Sequence, residues 1–226
     1  MNYLVCIFLS FLIWILPFRV KAQFEDDHLE PVDQYFSLSD SDLEYFRNMK
    51  EILFEGLSQN PEIRILVLPS FHPEYVLDIM EEKESERRVV YLNVAKDYIY
   101  HVETQEELER IELMKFRKQI EEDSFDLIYK LFQTVIYQVR YNKPERFLVR
   151  ADGTNYYFSV FDDGLKSGTI WSPSKGSKMG RLIDISERIF KLATENNSFL
   201  KVDGELETKI ETLIDDLNEH PSEREN

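Results

Sequence analysis

The segment FLVRADGTNYYFSVFDDGLKSGTIW, residues 147–171, constrains the fold more than any other part of the chain. Asp152-Gly153 and Asp163-Gly164 are dipeptides favoured in tight hairpin turns, where positive φ is needed. They predict a three-stranded meander over 147–171. In its middle strand Tyr156, Phe158 and Val160 project to one side, and Tyr157, Ser159 and Phe161 to the other, because side chains alternate along an extended backbone. Rings on both sides require a sheet covered by helices on one face and at least partly covered on the other.

The remaining periodicities supply the other layers. Ile63 to Ser70 (IRILVLPS) is a continuous apolar run rich in β-branched residues, which predicts a buried strand. Two more strands are expected over 74–80 and 88–94, across the charged turn EEKESER. Leu43, Phe46, Met49, Ile52 and Leu53 recur at helical spacing behind Ser39 or Ser41 as a cap, and Gly56 and Asn60-Pro61 end that helix. The stretch from Gln105 to Tyr141 holds neither Gly nor Pro, which predicts one long helix or two in succession. Its second half places Leu127, Ile128, Leu131, Phe132, Val135, Ile136 and Val139 on one face, with Asp123 or Ser124 as a cap. Further helices are expected over 179–193 and 205–217. Runs of strands and runs of helices without a βαβ rhythm indicate an α+β fold, a mostly antiparallel sheet packed against several helices.

The first residues set the compartment. Asn2 to Phe18 are almost wholly apolar, and Val20 and Ala22 stand at the −3 and −1 positions of a signal-peptidase site. The apolar run is short for a membrane span, which needs about 20 residues. Residues 1–22 are therefore expected to be a signal peptide, and the remainder a periplasmic or secreted protein without stable membrane insertion. Because no cation precedes the apolar core, an uncleaved N-terminal anchor is the alternative. Cys6 lies inside the core and is badly placed for lipidation. Behind the leader, 23–37 form an acidic lead-in, mobile or laid across the surface. A single domain is expected over 38–218 and a charged, disordered tail over 219–226.

The chain has one cysteine, Cys6, so the part after the leader has no disulfide and must rely on an ordinary core. With 43 acidic against 27 basic residues, its formal charge is −16. That field repels nucleic acid and favours a cationic protein partner.

Candidate chemistry is sparse. The loop WSPSKGSKMG contains Ser172-Pro-Ser-Lys175, an S-x-x-K match, and Lys166-Ser167-Gly168 matches K-[ST]-G. Their order is reversed relative to serine penicillin-interacting enzymes, and Pro173 spoils the helical turn that would aim the lysine. The same loop, with Lys175, Ser177, Lys178 and Arg181 opening a helix, has the donors and dipole of an anion- or partner-binding site. An acidic side chain of this same chain is one candidate occupant. Trp171 and Tyr157 extend that candidate surface. Ser70 and His72, at the end of the buried strand, are the catalytic candidates, although an i, i+2 pair rarely has nucleophile–base geometry. His28, His101 and His220 are isolated, so no metal ligand set and no cofactor is expected. Asn196-Asn197-Ser198 matches a glycosylation sequon.

The stretch DGTNYYFSVFDDGLKSGTIWSPSKGSKMGRLIDISERIF (152–190), read as DGxxYYF, then WSP and S…G opening a helix, resembles exported proteins of the Bacteroidota with no assigned activity. The KAQ end of the leader fits the same resemblance. It implies export and no particular chemistry. The residues point to a non-catalytic periplasmic binding or interaction protein, of immunity or inhibitor type. A hydrolase-type envelope enzyme with a site assembled from distant residues, and a structural envelope protein, are the alternatives. Expression in a secreting host followed by N-terminal sequencing should give a chain beginning at Gln23; an intact Met1 or Asn2 on cytosolic protein would remove the exported reading.

Overall fold

The computed structural model describes residues 26–32, 40–83, 85–102, 104–141 and 152–219, and within them a single eight-stranded sheet organises the chain. In chain order the elements are β1 (Glu30–Pro31), α1 (Asp40–Leu53), β2 (Ile63–Pro69), β3 (Tyr75–Glu82), β4 (Arg87–Ala95) and a 3-10 turn (Ile99–His101). They continue with α2 (Gln105–Leu108), β5 (Leu113–Ile120), α3 (Glu122–Ile136), β6 (Thr154–Phe161), β7 (Leu165–Trp171), α4 (Lys178–Thr194), β8 (Phe199–Leu200) and α5 (Gly204–Asn218). The strand order is β1-β7-β6-β2-β3-β4-β5-β8. Every pair is antiparallel except β5 with β8. This is the expected α+β arrangement. The expected leader (1–22), His220 and residues 147–151 of the expected meander lie outside the described residues.

The alternation along β6 places its side chains as the pattern predicts. Phe158 and Val160 enter the main core, where Phe132 of α3 meets Phe158 at a ring-centroid distance of 5.5 Å. Helices α3, α4 and α5 close this face over Ile63, Ile65, Leu77, Ile79 and Leu92. The opposite face carries a second core, in which Met49 and Leu53 of α1 pack on Leu66, Leu68, Val76 and Ile99.

Three local expectations are corrected. Asp163-Gly164 does form the β6–β7 turn, with φ of 50° and 129°. Asp152-Gly153 is not a hairpin turn: Gly153 is clasped to Ser70, its carbonyl accepting from the Ser70 amide at 2.8 Å, and it is small because a Cβ there would lie 2.5 Å from the Trp171 ring. The other edge of β6 is occupied by β2 along its whole length. Residues 105–141 are not one or two long helices, because β5 intervenes. Its period of two is masked by charge. Phe116, Lys118 and Ile120 face the main core, and the Lys118 amino group donates to the carbonyls of Leu192 and Glu195 at 2.6 Å each, closing the C-terminus of α4. On the other face Lys115 pairs with Glu55 at 2.5 Å and Arg117 with Glu82 at 2.7 Å. Helix α3 consequently starts at Glu122, and Ser124 does not cap it; its hydroxyl accepts from the Val202 amide at 3.0 Å.

Part of the lead-in is a strap on the sheet edge. β1 pairs with Gly168 and Thr169, and Leu29 is fully buried against Gly168, where an added Cβ would sit 2.8 Å from that leucine. The Leu29 carbonyl accepts from the Arg140 amide at 3.1 Å, and Arg140 pairs with Asp27 at 2.9 Å. Burial pushes the Asp27 carboxyl up, but the bond and charge of His28 and the charge of Arg140 outweigh it and hold the carboxyl below its ordinary value. Among the described residues no helix is long and apolar enough to cross a membrane. If the strap belongs to the cooperative fold, Leu29→Ala lowers unfolding stability by about 2–5 kcal/mol; an unchanged denaturation midpoint would exclude it from that unit.

Candidate functional site

The second face of the sheet is crossed by a polar row. Reading across the register, Ser167, Ser159, Arg64, Asp78, Tyr91 and Arg117 are cross-strand neighbours from β7 to β5. The Ser159 and Ser167 hydroxyls lie 2.8 Å apart. Arg64 donates from Nε and Nη2 to the Asp78 carboxylate at 2.7 and 2.6 Å, and from Nη2 to the Ser58 carbonyl at 2.7 Å. Its guanidinium lies 4.1 Å from the Phe54 ring centroid. Both partners are buried, as a charge can be only when paired and hydrogen-bonded. Burial pushes the Asp78 carboxyl above its ordinary value against the opposing pull of Arg64.

Helix α1 covers only part of this face. Asn93 on β4 donates to the carbonyls of Leu53 at 2.8 Å and Glu55 at 3.1 Å, which pins the end of α1 over β2–β4. Between α1 and the β6–β7 half of the sheet lies a groove of about 1230 Å³. Its walls include Phe46, Tyr157 and Trp171, and its floor Arg64, Ser159 and Ser167. Phe46 and Tyr157 meet edge to face at 6.3 Å. Among its described charged lining residues are Arg47, Lys50 and Arg64, against Glu51 and Asp152.

A buried carboxylate shapes one end of the groove. Glu74 is fully buried and accepts from the Ile99 amide at 3.1 Å, the Tyr100 amide at 3.2 Å and the Tyr45 hydroxyl at 3.3 Å. Tyr45 and Tyr100 stack edge to face at 5.3 Å. Burial, reinforced by the Glu74 charge, pushes the Tyr45 hydroxyl far above its ordinary value, so it stays a donor. Tyr100 is 63% exposed and Phe71 61%, and both line the groove beside it.

The residues singled out from sequence separate into three places. Tyr157 and Trp171 are in the groove. Ser70 is at its rim, but its hydroxyl donates to the Gly153 carbonyl at 2.7 Å and accepts from the Gly153 amide at 3.1 Å; no hydrogen bond joins it to His72, which is exposed. The cationic loop is on the far side of the sheet, at α4 and α5. There Ser177 caps α4, accepting from the Gly180 amide at 2.9 Å. Lys178 donates to the Asp216 carbonyl, and Arg181 pairs with the Asp216 carboxylate at 2.6 Å. Asp26 takes the Ser174 amide on its carboxylate at 2.7 Å and the Met179 amide on its carbonyl at 3.0 Å. Asp26 and Asp216 thus take the Ser174 amide, the Lys178 amino group and Nη2 of Arg181, while the buried Arg181 Nε has no partner among the described residues and Lys175 remains exposed. Arg64 was not singled out from sequence; a lone arginine inside IRILVLP was the available signal. Among the described residues no group of three His, Cys, Asp or Glu side chains could hold a metal ion.

Comparison with known protein families, curated proteins and solved structures finds no match.

Glu74→Ala strands two backbone donors and the Tyr45 hydroxyl, so it should cost at least about 2 kcal/mol in denaturant unfolding, with Glu74→Gln costing less. Wild-type stability in the alanine variant would contradict the assigned role.

Proposed function

We propose that this chain is an exported, non-catalytic binding protein that takes up its ligand in the groove between α1 and the β6–β7 half of the sheet. The observation that carries the reading is the unequal cover of the two faces by the described residues. Helices α3, α4 and α5 pack on one face, whereas α1 lies over part of the other, beside a polar floor and aromatic walls. Binding sites are typically such concave, mostly apolar surfaces with a few placed polar groups. The groups nearby that could do chemistry hold the structure instead: Ser70 clasps Gly153, Asp78 pairs with Arg64, and Glu74 takes three donors. The leader pattern at 1–22 supports a periplasmic or secreted location.

The expected inhibitor or immunity role against a cationic protein would use the acidic exterior. In the groove Arg64 is offset by Asp78, and the other described charged lining residues are two cations, Arg47 and Lys50, against two acids, Glu51 and Asp152, so the groove offers a cationic ligand no net attraction.

The test is a thermal-shift screen of fractionated envelope extract against the wild type and two groove-filling variants, Ser159→Trp and, at a less buried position, Asn155→Trp. The active fraction should raise the melting temperature of the wild type alone and be released with unchanged mass. Products of lower mass, lost with His72→Ala, would establish a hydrolase. Equal, salt-sensitive protection of all three proteins would move recognition to the acidic exterior.

A further inference from the structure

We infer that the groove's ligand is an oligosaccharide. The inference rests on the groove being the binding site, and it begins with Arg64. This side chain is 7% exposed, yet its Nη1 has no acceptor among the described residues, since Nε and Nη2 make its hydrogen bonds. Nη1 is not fully enclosed, and Arg64 lines the groove. A buried guanidinium therefore presents donors to the groove. Its charge is already offset by the two-pronged bond to Asp78, so a neutral oxygen is sufficient as acceptor.

Beside Nη1 the floor continues with neutral hydrogen-bonding groups, Ser159, Ser167 and Asn155. Hydroxyl and amide groups of this kind both donate and accept, which is what a hydroxyl-bearing chain requires of its site. Tyr157 and Trp171 supply flat apolar faces on which the C–H side of a sugar ring can lie, while its rim of hydroxyls reaches the floor. The volume, about 1230 Å³, exceeds the roughly 300–1,000 Å³ of a site for one drug-sized molecule and suits several linked rings. Strand addition by a peptide is disfavoured here, because both edges of β6 are taken and β1 occupies β7 at Gly168 and Thr169.

The chain carries its own reporter, since one of its two tryptophans, Trp171, lines the groove; the other is Trp14. The full chain is titrated with a panel of soluble neutral and uronic-acid oligosaccharides and with length-matched peptides, following tryptophan emission and, in parallel, calorimetry. A neutral oligosaccharide should give a saturable emission change that Trp171→Phe abolishes. Tyr157→Ala should weaken the calorimetric affinity about tenfold or more while its melting temperature remains cooperative. Tyr157-dependent binding of peptides and of no saccharide would overturn the ligand class and leave the groove reading intact. So would a groove-dependent ligand recovered from envelope extract that contains no sugar. Absence of any binding that depends on Tyr157 or is blocked by Ser159→Trp would overturn both.

Discussion

A sheet whose strands carry apolar side chains on both faces must be closed twice, and the described residues of this chain close it unequally. Helices α3, α4 and α5 pack against one face, where Phe132, Phe158, Ile63 and Leu92 are fully buried. On the other face α1 packs on β2, β3 and β4 and touches β6 through Phe46 and Tyr157, and the groove opens beside that contact toward β7. Burial of apolar area contributes about 25 cal/mol per Å², so the larger core supplies most of the driving force for folding. The second face is thereby free to carry polar groups.

Those polar groups are tolerable because each charge is held where the fold forms. Arg64 and Asp78 face each other on adjacent strands, so register alone brings the pair together. Removing either would leave a buried charge without its partner, which is far costlier than the net worth of the pair. Glu74 solves the same problem without a cation, by accepting three hydrogen bonds, and in doing so sets the positions of Tyr45 and Tyr100. The residues that make the second face stable are thus the ones that shape the groove.

Much of this was legible in the amino-acid order. Alternation along NYYFSVF assigns Phe158 and Tyr157 to opposite faces, and the apolar run at Ile63 marks a central strand, because both signals are local. β5 was hidden because Lys115, Arg117 and Lys118 read as a solvated helix face until Glu55, Glu82 and the end of α4 are brought against them. The cationic loop read as an anion site for a related reason: Asp26 and Asp216, distant in sequence, supply its acceptors. Of the groove, Tyr157 and Trp171 were visible as exposed-looking rings, but the groove needs α1, and no local pattern places α1 over one half of the sheet.

The unequal cover of the two faces can be measured by thiol accessibility in a Cys6→Ser background. Ser167 lines the groove, whereas Ile170, on the same strand, points into the helix-covered core and is 8% exposed. Ser167→Cys should react with a small maleimide in the folded protein, and Ile170→Cys only after unfolding. Equal protection of the two thiols would mean that the second face is closed and that no groove exists there.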